Sequence, residues 1–161
     1  MARSKTFLRT RDIDWAVELG GRYIHVSSAG GDLPAIVEDR LFEIWRELKD
    51  ADIVCEEEDV ELNEKYLSEK FPVEAEGNNV VRNISREWYI HSFKAMAMRG
   101  FYSFDRDVRF PIDESKYRMV AKPGKLKRNP EFNLPKIDLN MTPEELDGVD
   151  IVKLIDERNN R

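Results

Sequence analysis

Gly20 and Gly21 stand side by side between two runs of alternating side chains, and this arrangement limits the fold more than any other stretch of the chain. Before them, Trp15, Val17 and Leu19 fall on one side of an extended backbone, and Ala16 and Glu18 on the other. After them, Tyr23, His25 and Ser27 share one face, and Ile24 and Val26 the other. Two glycines supply the positive φ angles of a two-residue turn, so the stretch predicts a β-hairpin. The hairpin runs into Ser27-Ser28-Ala29-Gly30-Gly31-Asp32. Beyond that loop, Leu33, Ile36, Val37, Leu41, Ile44, Trp45 and Leu48 recur at three and four spacing. That period predicts an amphipathic helix, with Asp32 as its cap and Pro34 in its first turn.

Further along, Asp50 to Glu76 is rich in acid, including the run Glu56 to Asp59. Ile53-Val54-Cys55 reads as a short strand there. Leu62, Tyr66, Leu67 and Phe71 read as a short helix stopped before Pro72. A turn is expected at Glu76 to Asn79. Asn83 or Ser85 then caps a second strong helix, about Arg86 to Arg99. Its buried stripe is Tyr89, Phe93, Met96 and Ala97, with Trp88 and Ala95 flanking. Gly100 is a natural end for it. Phe101 to Phe104 follows as an extended aromatic segment. Strands are expected at Val108 to Ile112 and at Tyr117 to Ala121.

These elements predict an α+β fold: a small, mostly antiparallel sheet, made of the N-terminal hairpin plus strands near 107–121, packed on two main helices. Residues 1–121 would form one domain. Residues 122–161 would be a basic linker and a C-terminal arm, packed on the domain or on a partner. Within the arm, Thr142-Pro143-Glu144-Glu145 is a capping box with proline at the first helical position. A second short helix is expected at Val149 to Glu157. Residues 1–11 are basic and read as a frayed end.

The 161 residues are 41% hydrophobic, enough for a real core, and 36% charged, with a net charge of −6. That balance argues against a general nucleic-acid binder, which needs a basic excess to neutralise phosphate. Cys55 is the lone cysteine, which rules out an internal disulfide and a cysteine-based zinc site and fits a reducing compartment. The basic N-terminus has no apolar run behind it, and no stretch reaches the roughly 18 apolar residues of a membrane span. A soluble cytoplasmic protein is expected.

Only the hairpin loop offers converging donors. Ser27, Ser28, Gly30 and Gly31 before a helix start have the chemistry to hold a phosphate or carboxylate. Arg99, Tyr102 and Arg106 would complete such a site, with His25 and Ser28 as its reactive groups. The loop has neither the Walker lysine nor the dinucleotide spacing. Asp32 also puts negative charge where an anion would sit. His25 is expected to be a partly exposed strand residue and His91 a helix-surface one. Neither belongs to a metal-ligand pair, and no metal or other cofactor is expected. Cys55, beside four acids, reads as a small buried hydrophobe. Asp105, Asp107, Asp113 and Glu114 read as surface carboxylates paired with Arg106 and Arg109.

Two function classes follow. The first is a non-catalytic module working by contact with another protein, or with its own subunit, through the C-terminal arm or the acidic face. The second is a nucleotide- or sugar-phosphate-binding domain or enzyme with its site at residues 25–32.

Overall fold

The computed structural model describes residue 8, residues 11–77 and residues 79–159. The expected frayed end, Leu8 and Arg11 apart, and Asn78 of the expected turn lie outside the described residues. Among those described, six strands form one sheet: β1 (Asp14–Leu19), β2 (Arg22–Ser27), β3 (Val60–Leu62), β4 (Tyr102–Arg106), β5 (Tyr117–Pro123) and β6 (Lys136–Ile137). The helices are α1 (Ala35–Glu38), α2 (Leu41–Asp50), α3 (Glu64–Lys70), α4 (Val80–Met98), α5 (Pro143–Leu146) and α6 (Ile151–Asn159). None of these helices is long and apolar enough to cross a membrane.

The hairpin forms at the expected glycines, with φ of 58° at Gly20 and 79° at Gly21. The two-residue turn fixes the register, setting Asp14 opposite Ser27 and Ala16 opposite His25. The sheet order is β3-β5-β4-β2-β1-β6. It is mixed, with three of its five pairings antiparallel and two parallel: β2 runs parallel to β4, and β1 parallel to β6. The reason is the long helical crossover between β2 and β4, which brings the chain back in its original direction.

The first helix is broken in two at Asp39-Arg40, where Arg40 leaves helical geometry with ψ of 22°. Pro34, not Asp32, stands at the cap position of α1, and its side chain makes no capping bond. The Ala35 N–H donates instead to Asp156 at 2.9 Å, a cap supplied from α6. Ile53 to Cys55 is not a strand, and Val60–Leu62 is. Val54 and Cys55 both donate their N–H groups to the Met98 carbonyl, and that tie replaces strand pairing. Cys55 is fully buried, as expected. Residues 108–112 form a loop and the start of a single 3₁₀ turn rather than a strand, with Val108 in solvent.

The C-terminal extension packs into the core of the domain. Leu134, Ile137, Leu146, Ile151 and Ile155 are buried in the same cluster as Trp15, Val17, Ile24 and Phe104. The Glu18 N–H donates to the Pro135 carbonyl, and β6 completes the edge of β1. Where β6 is too short to cover that edge, the Trp45 indole N–H donates to the Asp14 carbonyl at 2.8 Å. A strand edge left open would invite pairing with another chain. The capping box at Thr142 and Glu145 forms with both of its bonds. The basic linker is held by acid, with Lys127 on Glu56 at 2.9 Å and Arg128 near Asp52 at 3.7 Å.

A second cluster lies under α4. Ile90, Phe93 and Ala97 pack there with Tyr66, Leu67, Val120 and Ala121. The pairing of β4 with β5 slips by one residue between Ser103 and Phe104, leaving Val120 as the extra residue of a bulge. The bulge lets two consecutive small side chains, Val120 and Ala121, serve the same cluster.

Candidate functional site

Strand register builds a polar row across one face of the sheet. Asp14, His25 and Ser27, Ser103 and Asp105 come from β1, β2 and β4, and each lies on the same side by alternation. His25 is not partly exposed, as its sequence context suggested. It is only 2% accessible, because Phe93 of α4 and Phe101 cover it.

The His25 ring sits between two partners. Its Nε2 lies 2.8 Å from Asp14 Oδ1, and its Nδ1 lies 2.7 Å from Ser103 Oγ. A carboxylate only accepts, so Nε2–H donates to Asp14, and in the neutral ring Nδ1 accepts from the Ser103 hydroxyl. Carboxylate, imidazole and hydroxyl therefore stand in the order of a hydrolytic triad. The order of exposure is reversed. The Asp14 side chain is 63% accessible, whereas Ser103 is fully buried. A nucleophile must meet its substrate, and here the hydroxyl is the inner end of the chain. The arrangement serves to satisfy buried polar groups and to tie three strands together.

Beside it, Asp105 accepts a hydrogen bond from the Tyr89 hydroxyl of α4. Burial pushes the Asp105 carboxyl up to about 6, against the opposing pull of that hydroxyl. Burial also raises the Tyr89 and Tyr66 phenols, so both stay protonated. Asp105, Arg106 and Asp107 are all buried, not the surface ion pairs their sequence suggested, because β4 is an inner strand. Arg109 still pairs with Asp107 at 2.6 Å and holds its carboxyl below the ordinary range.

The glycine-rich loop is fully occupied by its own chain. Ser28 N–H donates to the Ile13 carbonyl, Gly30 N–H to the Arg11 carbonyl, and Gly31 N–H to the Ser28 carbonyl. Ala29 N–H and the Ser27 hydroxyl both donate to Asp12 Oδ1, at 3.0 and 2.6 Å. Ser28 Oγ accepts from Ile13 N–H at 2.8 Å. Arg106 does reach the loop, but it spends its guanidinium on the carbonyls of Ser28, Ala29 and Phe110. Gly31 is glycine because of that packing: a Cβ there would stand 2.7 Å from Arg106 Cδ.

Residues Ser27, Ser28, Gly30, Gly31 and Arg106 are thus brought together, with His25 one strand step away. Tyr102 and Arg99 are not. Tyr102 pairs with Ile24, three residues or about 10 Å along β4 from Asp105. Arg99 ends α4 and donates to the Ala95 carbonyl.

The feature that sequence reasoning missed is on α4. This helix starts at Val80, about two turns earlier than expected. Its C-terminal half is core. Its N-terminal half exposes Val81 (71%), Ile84 (54%) and Trp88 (80%) on the outer face, while Arg82, Arg86 and Tyr89 face inward and are half-buried. These positions are three and four apart, so they form one stripe. Trp88 borders an open depression of about 450 Å³ with Glu87, His91 and Ser92. Isolated exposed apolar residues are ordinary, but a contiguous stripe with a tryptophan marks a contact surface. The signal was present in the spacing of Val81, Ile84 and Trp88. It was hidden by Asn83 and Ser85, which look like helix starts.

Groups of acidic, histidine or cysteine side chains able to hold a metal ion are absent among the described residues. No family model matches the chain, and neither the curated proteins nor the solved structures contain a match.

Proposed function

We propose that this chain is a non-catalytic protein–protein interaction module of the cytoplasm, and that the N-terminal half of α4 is its contact surface. The observation that carries this reading is the exposed apolar stripe Val81, Ile84 and Trp88 on the outer face of a helix whose opposite face is core. Aromatic anchors in apolar patches supply most of the energy at protein interfaces. Two further observations support it. The triad-like chain at His25 has its hydroxyl buried, and the loop at residues 27–31 has no donor left for a ligand. The C-terminal arm, an obvious contact device in the sequence, has its apolar residues in the core instead. The lone, buried Cys55 fits a reducing compartment.

The test compares wild-type bait with an Ile84→Ser/Trp88→Ser bait in affinity capture from cell extract. The expected result is a set of proteins retained by the first and lost from the second, with both baits equally folded. Identical retained sets would remove α4 as the working surface.

A further inference from the structure

We infer that the α4 face receives a basic amphipathic helix of another protein, its apolar stripe on Val81, Ile84 and Trp88 and its lysines or arginines against Glu87 and the unpaired carboxylates of the same acidic segment. This rests on the reading of α4 as the contact surface.

Charge carries the inference. Residues 56–98 hold ten acidic and five basic side chains, a net of −5 in a chain whose total is −6. The apolar stripe thus sits within the segment that holds most of the chain's negative charge. Four of the five bases are already engaged by their own chain. Arg86 bonds Glu64 at 2.6 Å, and Lys94 bonds Glu57 at 3.2 Å. Arg82 donates to the Phe71 carbonyl and to Asn83, and Lys70 lies over the Tyr89 ring. Glu58, Glu74, Glu76 and Glu87 make no ion pair among the described residues, and Glu87 borders the Trp88 depression. What α4 and the acidic segment around it in sequence offer a visitor is therefore apolar surface and an excess of unpaired carboxylate, with Glu87 at the stripe itself.

Basic side chains of this chain already seek the acidic segment. The basic linker lays Lys127 on Glu56, from the same acidic run. A second copy of the chain fits poorly, because a two-fold contact sets the same acidic patch against itself. Anionic lipid and nucleic acid meet the same repulsion. From Val81 to His91 the exposed face is about 15 Å long, or three turns, which suits one packed helix of similar length.

The experiment uses the full chain and two fluorescein-labelled synthetic helices of four turns. They share one leucine stripe, rimmed by lysine in one and by glutamate in the other. Anisotropy gives affinity at low and moderate salt. Sedimentation velocity follows the protein alone, and flotation follows it with phosphatidylserine vesicles. The expected result is binding of the lysine helix, weakened by salt. Ile84→Ser/Trp88→Ala should lower its affinity about 30-fold, as loss of a hot spot does. Glu87→Lys should lower it about threefold and flatten the salt dependence, as a rim charge does. Both changes are at exposed positions, and thermal melting checks that each variant is folded.

Equal or tighter binding of the glutamate helix overturns the basic partner and leaves α4 as the contact surface. Trp88-dependent self-association overturns it in favour of a second copy. Vesicle flotation overturns it in favour of lipid. Absence of all binding and all self-association overturns both the partner and the surface.

Discussion

The two halves of α4 are similar in apolar content and opposite in fate. In the C-terminal half, Ile90, Phe93 and Ala97 are buried against β4 and β5. In the N-terminal half, Val81, Ile84 and Trp88 stand in water. Both sets follow helical spacing, so the pattern alone does not separate core from surface. What separates them is which face of the helix they occupy: at 3.6 residues per turn the two sets point to opposite sides, and Arg82, Arg86 and Tyr89 take the half-buried inner positions of the N-terminal half. Tyr89 marks the border, reaching down to Asp105 while its neighbour Trp88 points away. A helix that is apolar on its outer face as well as its inner one leaves the outer stripe for something else.

The sharpest way to break this comparison is a pair of truncations one turn apart. Phe93→Ala is expected to cost about 3–5 kcal/mol, the transfer and cavity terms of a buried aromatic. Trp88→Ala is expected to change stability by no more than about 0.5 kcal/mol. Urea denaturation of both variants measures the contrast. Similar midpoints would mean that the two halves are not energetically distinct.

Next in size is a pH effect at the border. Burial raises the Asp105 carboxyl from 3.8 to about 6, so the folded chain keeps a proton that the unfolded chain releases. That contribution is fully present below pH 3.8 and is lost as pH rises through about 6. The loss by neutral pH is at most about 3 kcal/mol. Asp107, lowered by its bond to Arg109, acts in the opposite sense and weakens the fold only in acid. Asp105→Asn is expected to shrink the decline between pH 4 and pH 7, leaving the smaller share of Asp150, whose carboxyl burial also raises. Parallel melting curves for wild type and variant across that window would show that burial does not raise this carboxyl.

The smallest effect sharpens the picture of the N-terminal turns. They are tied down by Arg82 on the Phe71 carbonyl and by Arg86 on Glu64. Glu64 is mostly exposed, so Arg86→Ala is expected to cost about 1 kcal/mol or less. Hydrogen exchange should speed up at residues 81–86 and stay slow at 90–98. Uniform speeding along the helix would mean that α4 opens as one unit.

Much of the local structure was legible. The hairpin, its glycine turn, the capping box at Thr142 and the helix after Gly148 all rest on residues within a few positions of each other. The hairpin register even placed Asp14 on the face of His25, although that pair was not read from it. Ser103 was beyond reach, because it meets His25 only through pairing of β2 with β4, 78 residues apart in sequence. The candidate ligand loop misled for a similar reason. Its donors are consumed by residues 11–13 and its carbonyls by Arg106, and neither contact leaves a mark in the loop's own sequence.

The sequence by itself determined the alternation of the hairpin, the periods of the main helices, the acidic balance and the absence of a disulfide. These depend on neighbouring residues or on composition, which a linear chain displays directly. Only the tertiary structure decided the strand order, the burial of the C-terminal arm and which face of α4 is core. Each of those depends on which distant segments come together and how far their packed surface extends. A helical stripe is written in the same letters whether or not a sheet lies beneath it.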